Sequence, residues 1–213
     1  MQNVLNVLYL AIGLLIGVVV RSYAQALVAT RLHDPTPRQM GRLTLNPRAH
    51  ADPFGTLVLP GILLIPVLFG HFFLLPFAYA KSMPLNPFST RRPDNESTFV
   101  ALAGIGANVA LAFVFGALFR LAGPGQAAIF VVRCLQTQVI LAAMNIVPIP
   151  PLDGSRIVAR FLTGRAREVY QNLDQYGALF MLVIFFIFAG PIFSFVGAVG
   201  NGICQVTAGI PCL

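Results

Sequence analysis

NIVPIPPLDGSR, residues 145–156, closes a long apolar run and carries Asp153, one of seven acidic residues in the chain. Prolines at 148, 150 and 151 remove backbone donors and stop the incoming helix. They leave Asp153 and Gly154 on irregular backbone at the end of a hydrophobic segment. Within a bilayer such backbone persists only where protein or water surrounds it. A carboxylate at that depth is costly and marks a candidate site. The stretch therefore reads as the edge of a buried polar site in a helical membrane protein.

Composition points the same way. The 213 residues are 57% hydrophobic and 10% charged, against about 25% charged in a soluble domain. The length fits a single transmembrane domain, residues 1–213. The formal charge of +7 comes mainly from loop arginines, a positive-inside signature that also attracts anionic lipid. No basic patch is interleaved with aromatics, so nucleic acid is not an expected partner. The first residues, MQNVLNVLYL, lack a basic leader and a cleavage motif, so they read as part of a retained first span.

Hydropathy places spans at about 4–32, 98–121, 126–147 and 176–199. The small-residue face of Gly104, Ala107 and Ala110 in the second suits close helix packing. In the last, Gly190-Pro191 marks a break. Positive-inside counting puts residues 31–48, 81–92 and 156–167 on one face, the cytoplasmic one. Residues 57–80, interrupted by Pro60, Gly61, Pro66 and Gly70, must then enter and leave on that face. They are too short for two helical crossings, which makes them a re-entrant segment and both chain ends extracytoplasmic. The expected fold is an all-α polytopic bundle with that re-entrant segment and a small membrane-embedded β-hairpin near residues 77–87.

Inside the first span stand Arg21, Ser22 and Gln25. Arg21 and Gln25 are one turn apart on one helix face. An arginine at mid-span costs about 3 kcal/mol unless paired, so a partner is expected. Cys134, in an apolar run, reads as packing. Cys204 and Cys212 either form a disulfide in an extracytoplasmic tail or stand as two free thiols. His33 reads as solvent-facing, His71 as apolar packing, and Asp52 before Pro53 as a turn or cap residue. There is no G-x-S-x-G, P-loop or C-x-x-C, and no base stands near Ser22 to make it a nucleophile.

Four strings occur in order: LVATRLHDPTPRQMGRLTLNPRAHADPFGT at 27–56, PFAYAKSMPLNP at 76–87, ALAGIGANVALA at 101–112, and NIVPIPPLDGSR. Together they closely resemble the site-2 protease family, intramembrane zinc metalloproteases, in its small bacterial branch without a PDZ domain. The resemblance runs from about residue 13 to residue 190. It implies a first helix bearing H-E-x-x-H, whose histidines bind zinc while the Glu activates a zinc-bound water. The Asp of the LDG motif is the third ligand. Here that helix reads R-S-Y-A-Q. Arg21 stands at the first histidine, Ser22 at the glutamate, Gln25 at the second histidine, and Asp153 is retained.

Arginine keeps its proton and cannot ligate zinc. Ser22 cannot replace the general base, and one carboxylate alone does not hold the ion. The resemblance therefore implies a bound zinc that these residues contradict, and the expectation is a pseudoprotease without zinc. Its function would be to bind a partner's transmembrane segment, or to serve as an accessory subunit among other integral membrane proteins of the bacterial inner membrane. Arg21 and Asp153 are expected to pair where the metal would sit, with Gln25 adding a hydrogen bond. The other reading of Asp153 is a cap on the helix starting near Ser155. Asn108 and Asn145 match family positions that hold substrate backbone, and Tyr79 and Lys81 fall in the family's strand edge, which pairs with a substrate strand. Two alternatives stand beside this reading. One is an active peptidase with an unusual or partner-completed metal site, drawing on His50, Asp52 and Asp153. The other is a lipid or quinone pocket in the vacated site.

Overall fold

The computed structural model describes residues 2–70, 77–86, 89, 93–173 and 177–213. Nine α-helices are assigned among them. In chain order they are α1 (Gln2–Arg31), α2 (Thr36–Gln39), α3 (Pro47–His50), α4 (Leu59–Leu68), α5 (Pro93–Leu121), α6 (Gln126–Ile146), α7 (Asp153–Ala159), α8 (Gly164–Leu173) and α9 (Gly177–Ala208). A π-helical turn, Pro53–Val58, runs into α4. No strand occurs among the described residues, and residues 77–86 run without regular secondary structure. The expected β-hairpin is therefore not formed there. His71 and the start of the last expected span at residue 176 lie outside the described residues.

Among the described residues, four helices are long and apolar enough to cross a bilayer: Gln2–Arg31, Asn95–Leu121, Gln126–Ile146 and Ile187–Ala208. The chain is a multi-pass, all-α membrane protein. The last of these ends nine residues beyond the expected end at 199. Its C-terminal turns carry Asn201, Gln205 and several glycines, which read as a tail by hydropathy. In the fold they pack against one: Asn201 Oδ1 accepts from the Cys212 and Leu213 amides, and Gln136 Nε2 donates to the Cys212 carbonyl. Cys204 and Cys212 are joined as a disulfide in this region. Within α9, Phe188 leaves helical dihedrals just before Pro191, where the proline ring cannot accommodate a regular preceding turn.

Glycines set the helix register. A Cβ at Gly13 would strike Thr137, and one at Gly17 would strike Gln138 and Leu141. The constant offset means α1 and α6 run parallel in close contact. A Cβ at Gly116 would strike Thr207, and Val109 faces Val199 across a groove, so α5 and α9 also run parallel to each other. The turn at residues 122–125 makes α5 antiparallel to α6. The end of α1, the start of α5 and the end of α6 thus share one membrane face, together with residues 32–52 and 147–173.

The chain between α1 and α5 must return to that face. Its helical limb, residues 53–68, is about 24 Å long at 1.5 Å per residue. The side chain of Asn3 donates to the Leu68 carbonyl (3.2 Å), so this limb climbs to the level of the first turn of α1. On the way back, residues 77–86 run without regular secondary structure, and Phe77, Ala78, Tyr79 and Ala80 are buried in the core with Leu10, Leu14 and Val18.

Candidate functional site

Four elements converge at the level of Arg21. Arg21, Ser22 and Gln25 come from α1 and are 5%, 2% and 3% exposed. Asp153, the first residue of α7, is 4% exposed. Its position follows from the proline-rich turn, where the Val147 amide closes on the Met144 carbonyl and the Leu152 amide on that of Ile149. Gly154 is required here because a Cβ would strike the carbonyls of Ile146 and Val147.

Arg21 Nη2 lies 2.7 Å from Asp153 Oδ2, and Arg21 Nε donates to the same oxygen at 2.9 Å. Gln25 Nε2 donates to Oδ1 at 2.8 Å and to Oδ2 at 2.9 Å. Both carboxylate oxygens are thus engaged from α1. Asp153 does not cap α7, whose N-terminus has no side-chain cap. Gly104 of α5 closes the third side. A Cβ there would lie 2.6 Å from Gln25 Nε2 and 2.9 Å from Asp153 Oδ2, so the volume around the pair is filled.

The two asparagines belong to the same layer. Extending the α1–α6 register by one turn sets Asn145 beside Arg21. Asn108 is one turn beyond Gly104 on α5. Both are fully buried. Asn145 Nδ2 donates to the Leu141 carbonyl, which leaves its Oδ1 without a partner. Asn108 has no partner for either side-chain atom, and Ser22 Oγ has none. Buried polar groups are ordinarily satisfied, so this layer has unmet donors and acceptors next to a fully satisfied ion pair.

The remaining candidates lie elsewhere. Asp52 Oδ1 accepts from the amides of Phe54 (3.0 Å) and Gly55 (2.7 Å), and so caps the π-helical turn. His50 is fully buried, with Nε2 donating to the Thr44 carbonyl at 2.7 Å. Burial holds its pKa below the usual value, the bond to Thr44 raises it, and the Arg42 charge lowers it further. No three His, Cys, Asp or Glu side chains among the described residues are grouped to share an ion, so His50, Asp52 and Asp153 do not form the alternative metal site.

Tyr79 is buried and Lys81 is exposed, but the backbone of both is held by the chain itself. Their amides donate to the carbonyls of Gly55 (3.0 Å) and His50 (3.2 Å), and the Tyr79 ring covers Gly55. The seam the sequence assigned to a peptide is thus used by the chain itself. The partnerless groups of Ser22 and Asn108 were not foreseen, because neither residue's neighbours can be read from its own segment.

Zinc does not fit the residues present. The first histidine's place holds a fixed cation, the glutamate's place holds a hydroxyl, and Asp153 is bound on both oxygens.

The chain is similar to YwhC of Bacillus subtilis, with 30% identity over 187 residues, 83% of this chain and 80% of that protein. It is 29% identical to Rip2 of Mycobacterium tuberculosis over 176 residues, covering 81% of this chain and 64% of Rip2. With MJ0611 of Methanocaldococcus jannaschii it shares 34% identity over 97 residues, 45% of this chain and 47% of that protein. All three carry the name of zinc metalloproteases by provisional assignment. No family model matches the chain, and no solved structure matches it.

Proposed function

The chain belongs to the site-2 protease family of intramembrane zinc metalloproteases, and from that premise we propose that it is a catalytically inactive member that binds transmembrane segments of partner proteins. The observation that carries this reading is the Arg21–Asp153 contact at 2.7 Å. It uses the family's third ligand to neutralise a fixed charge standing at the first ligand. With Gln25 on the other oxygen, both carboxylate oxygens are engaged by side chains of α1.

A binding role agrees with what remains of the site. The carboxamide of Asn108 offers a donor and an acceptor, as a peptide unit does, and Ser22 Oγ and Asn145 Oδ1 add to it. A locally unwound segment would engage these groups once the helices that bury them part. The partners are other integral membrane proteins, and the location is the bacterial inner membrane. The filled volume beside Gly104 weighs against a lipid or quinone in the vacated site.

The test is the transition-metal content of protein purified without chelator. Less than one-tenth of an ion per chain is expected. One zinc per chain would overturn the reading in favour of a peptidase with an unusual or partner-completed site, and cleavage of transmembrane peptides would then be measured.

A further inference from the structure

Arg42 lies in the loop between α2 and α3, at the membrane face shared by the ends of α1 and α6. It is 5% exposed. Its backbone amide is held by the Pro37 carbonyl at 2.8 Å, which fixes the side chain's root. The guanidinium has no hydrogen bond or ion pair with any described residue. Both carboxylates of this loop are occupied by backbone. Asp34 accepts from the Thr36 and Asn86 amides, and Asp52 from those of Phe54 and Gly55. Among the described residues, then, no carboxylate pairs with this buried charge. Next to it is the fully buried imidazole of His50, whose Nδ1 also lacks a partner. The Arg42 charge is close enough to oppose protonation there.

The surroundings indicate where the counter-charge comes from. Met40 and Leu45 flank Arg42 in sequence and are 56% and 60% exposed. Two large apolar side chains projecting from a loop at the end of a spanning helix suit the boundary between headgroups and acyl chains. Arg31, Arg38 and Arg48 stand exposed around them and raise the local concentration of anions. A guanidinium with little water and no carboxylate matches a phosphate oxygen pair.

We propose that Arg42 holds the phosphate of an anionic phospholipid headgroup, with Met40 and Leu45 seated among that lipid's acyl chains. Binding forms no covalent bond. It neutralises Arg42 and anchors the loop that carries α2 and α3 to the bilayer.

The test is native mass spectrometry of the purified chain titrated with phosphatidylglycerol, phosphatidylcholine or inorganic phosphate. One retained phosphatidylglycerol is expected, with retention about tenfold weaker in Arg42→Gln, the size of one charge-assisted contact. Arg38→Gln, which removes the same charge from an exposed position, is expected to bind as wild type. Equal retention by Arg42→Gln and wild type would overturn the site. If inorganic phosphate alone displaces the lipid at equal concentration, the lipid assignment is overturned in favour of free phosphate. Should Arg42→Gln fail to fold, phenylglyoxal labelling of the wild type decides. Phosphatidylglycerol should protect Arg42 several-fold more than Arg38, and equal protection would refute the proposal.

Discussion

Replacing Asp153 by Ala leaves the Arg21 guanidinium 5% exposed with its counter-ion removed. Three short contacts to Oδ2 and one to Oδ1 are lost together. Breaking a buried ion pair from one side costs about 3–5 kcal/mol, because the surviving charge stays desolvated. On the scale of soluble domains of this size, that lowers the melting temperature by roughly 6–20 °C. Arg21→Ala strands the carboxylate instead, but Gln25 still donates to it, so its cost should fall at the lower end of that range. The double variant Arg21→Met/Asp153→Leu removes both charges at similar volume and should come within about 1 kcal/mol of wild type or exceed it. Cys134, free and fully buried, supplies the readout: a thiol-reactive fluorogenic dye reports unfolding in detergent as it becomes accessible. Losses under about 0.5 kcal/mol for both single variants would refute the ion pair, as would additive losses in the double variant.

Restoring the family motif with Arg21→His, Ser22→Glu and Gln25→His should give one zinc per chain by elemental analysis, since Asp153 already stands across from both histidine positions. Failure to bind zinc in a folded triple variant would mean these positions do not converge. Gly154→Ala should cost about 1–3 kcal/mol or more, because its Cβ meets two backbone carbonyls that cannot move aside; unchanged melting would contradict the turn. His50 has a folded-state pKa below its unfolded value near 6.5. Its contribution should be fully present above about pH 6.5 and lost as pH falls through the folded pKa. His50→Gln keeps a donor for Thr44 and should flatten that part of the stability–pH curve. Reduction of Cys204–Cys212 should cost about 2–3 kcal/mol from the loop it closes, measured by circular dichroism on heating.

Much of this architecture can be read from single segments. Prolines 148, 150 and 151 announce the end of α6, and the price of a mid-span arginine requires a partner before any partner is known. That the partner is Asp153 came through the resemblance, since 132 residues separate the two. The return limb was less legible. The expectation of a re-entrant segment at residues 57–80 rested on the prolines and glycines that interrupt it, whereas the meeting of its helical limb with Asn3 depends on a contact 65 residues apart in sequence. The partners of the Tyr79 and Lys81 amides were not legible either, because the resemblance names a strand edge without saying what covers it in this chain. Here the π-helical turn takes the edge they occupy. Asp52 was legible as a cap from Pro53 alone, while the burial of Arg42 was not, because nothing in a basic loop distinguishes the one arginine folded inward.

The separation between Arg21 and Asp153 also sets an order of events during synthesis. Arg21 enters the bilayer with α1, and its counter-ion is made 132 residues later, roughly 7–26 s at ordinary elongation rates. For that interval α1 carries an unneutralised charge at mid-depth, outweighed by its apolar residues at about 0.3–0.6 kcal/mol each but still drawn toward water. The polar layer is therefore completed by the arrival of α7, after α5 and α6 have already built its walls. A chain stopped before residue 153 should therefore hold its first helix loosely, because the Arg21–Asp153 pair forms only once α7 has been made.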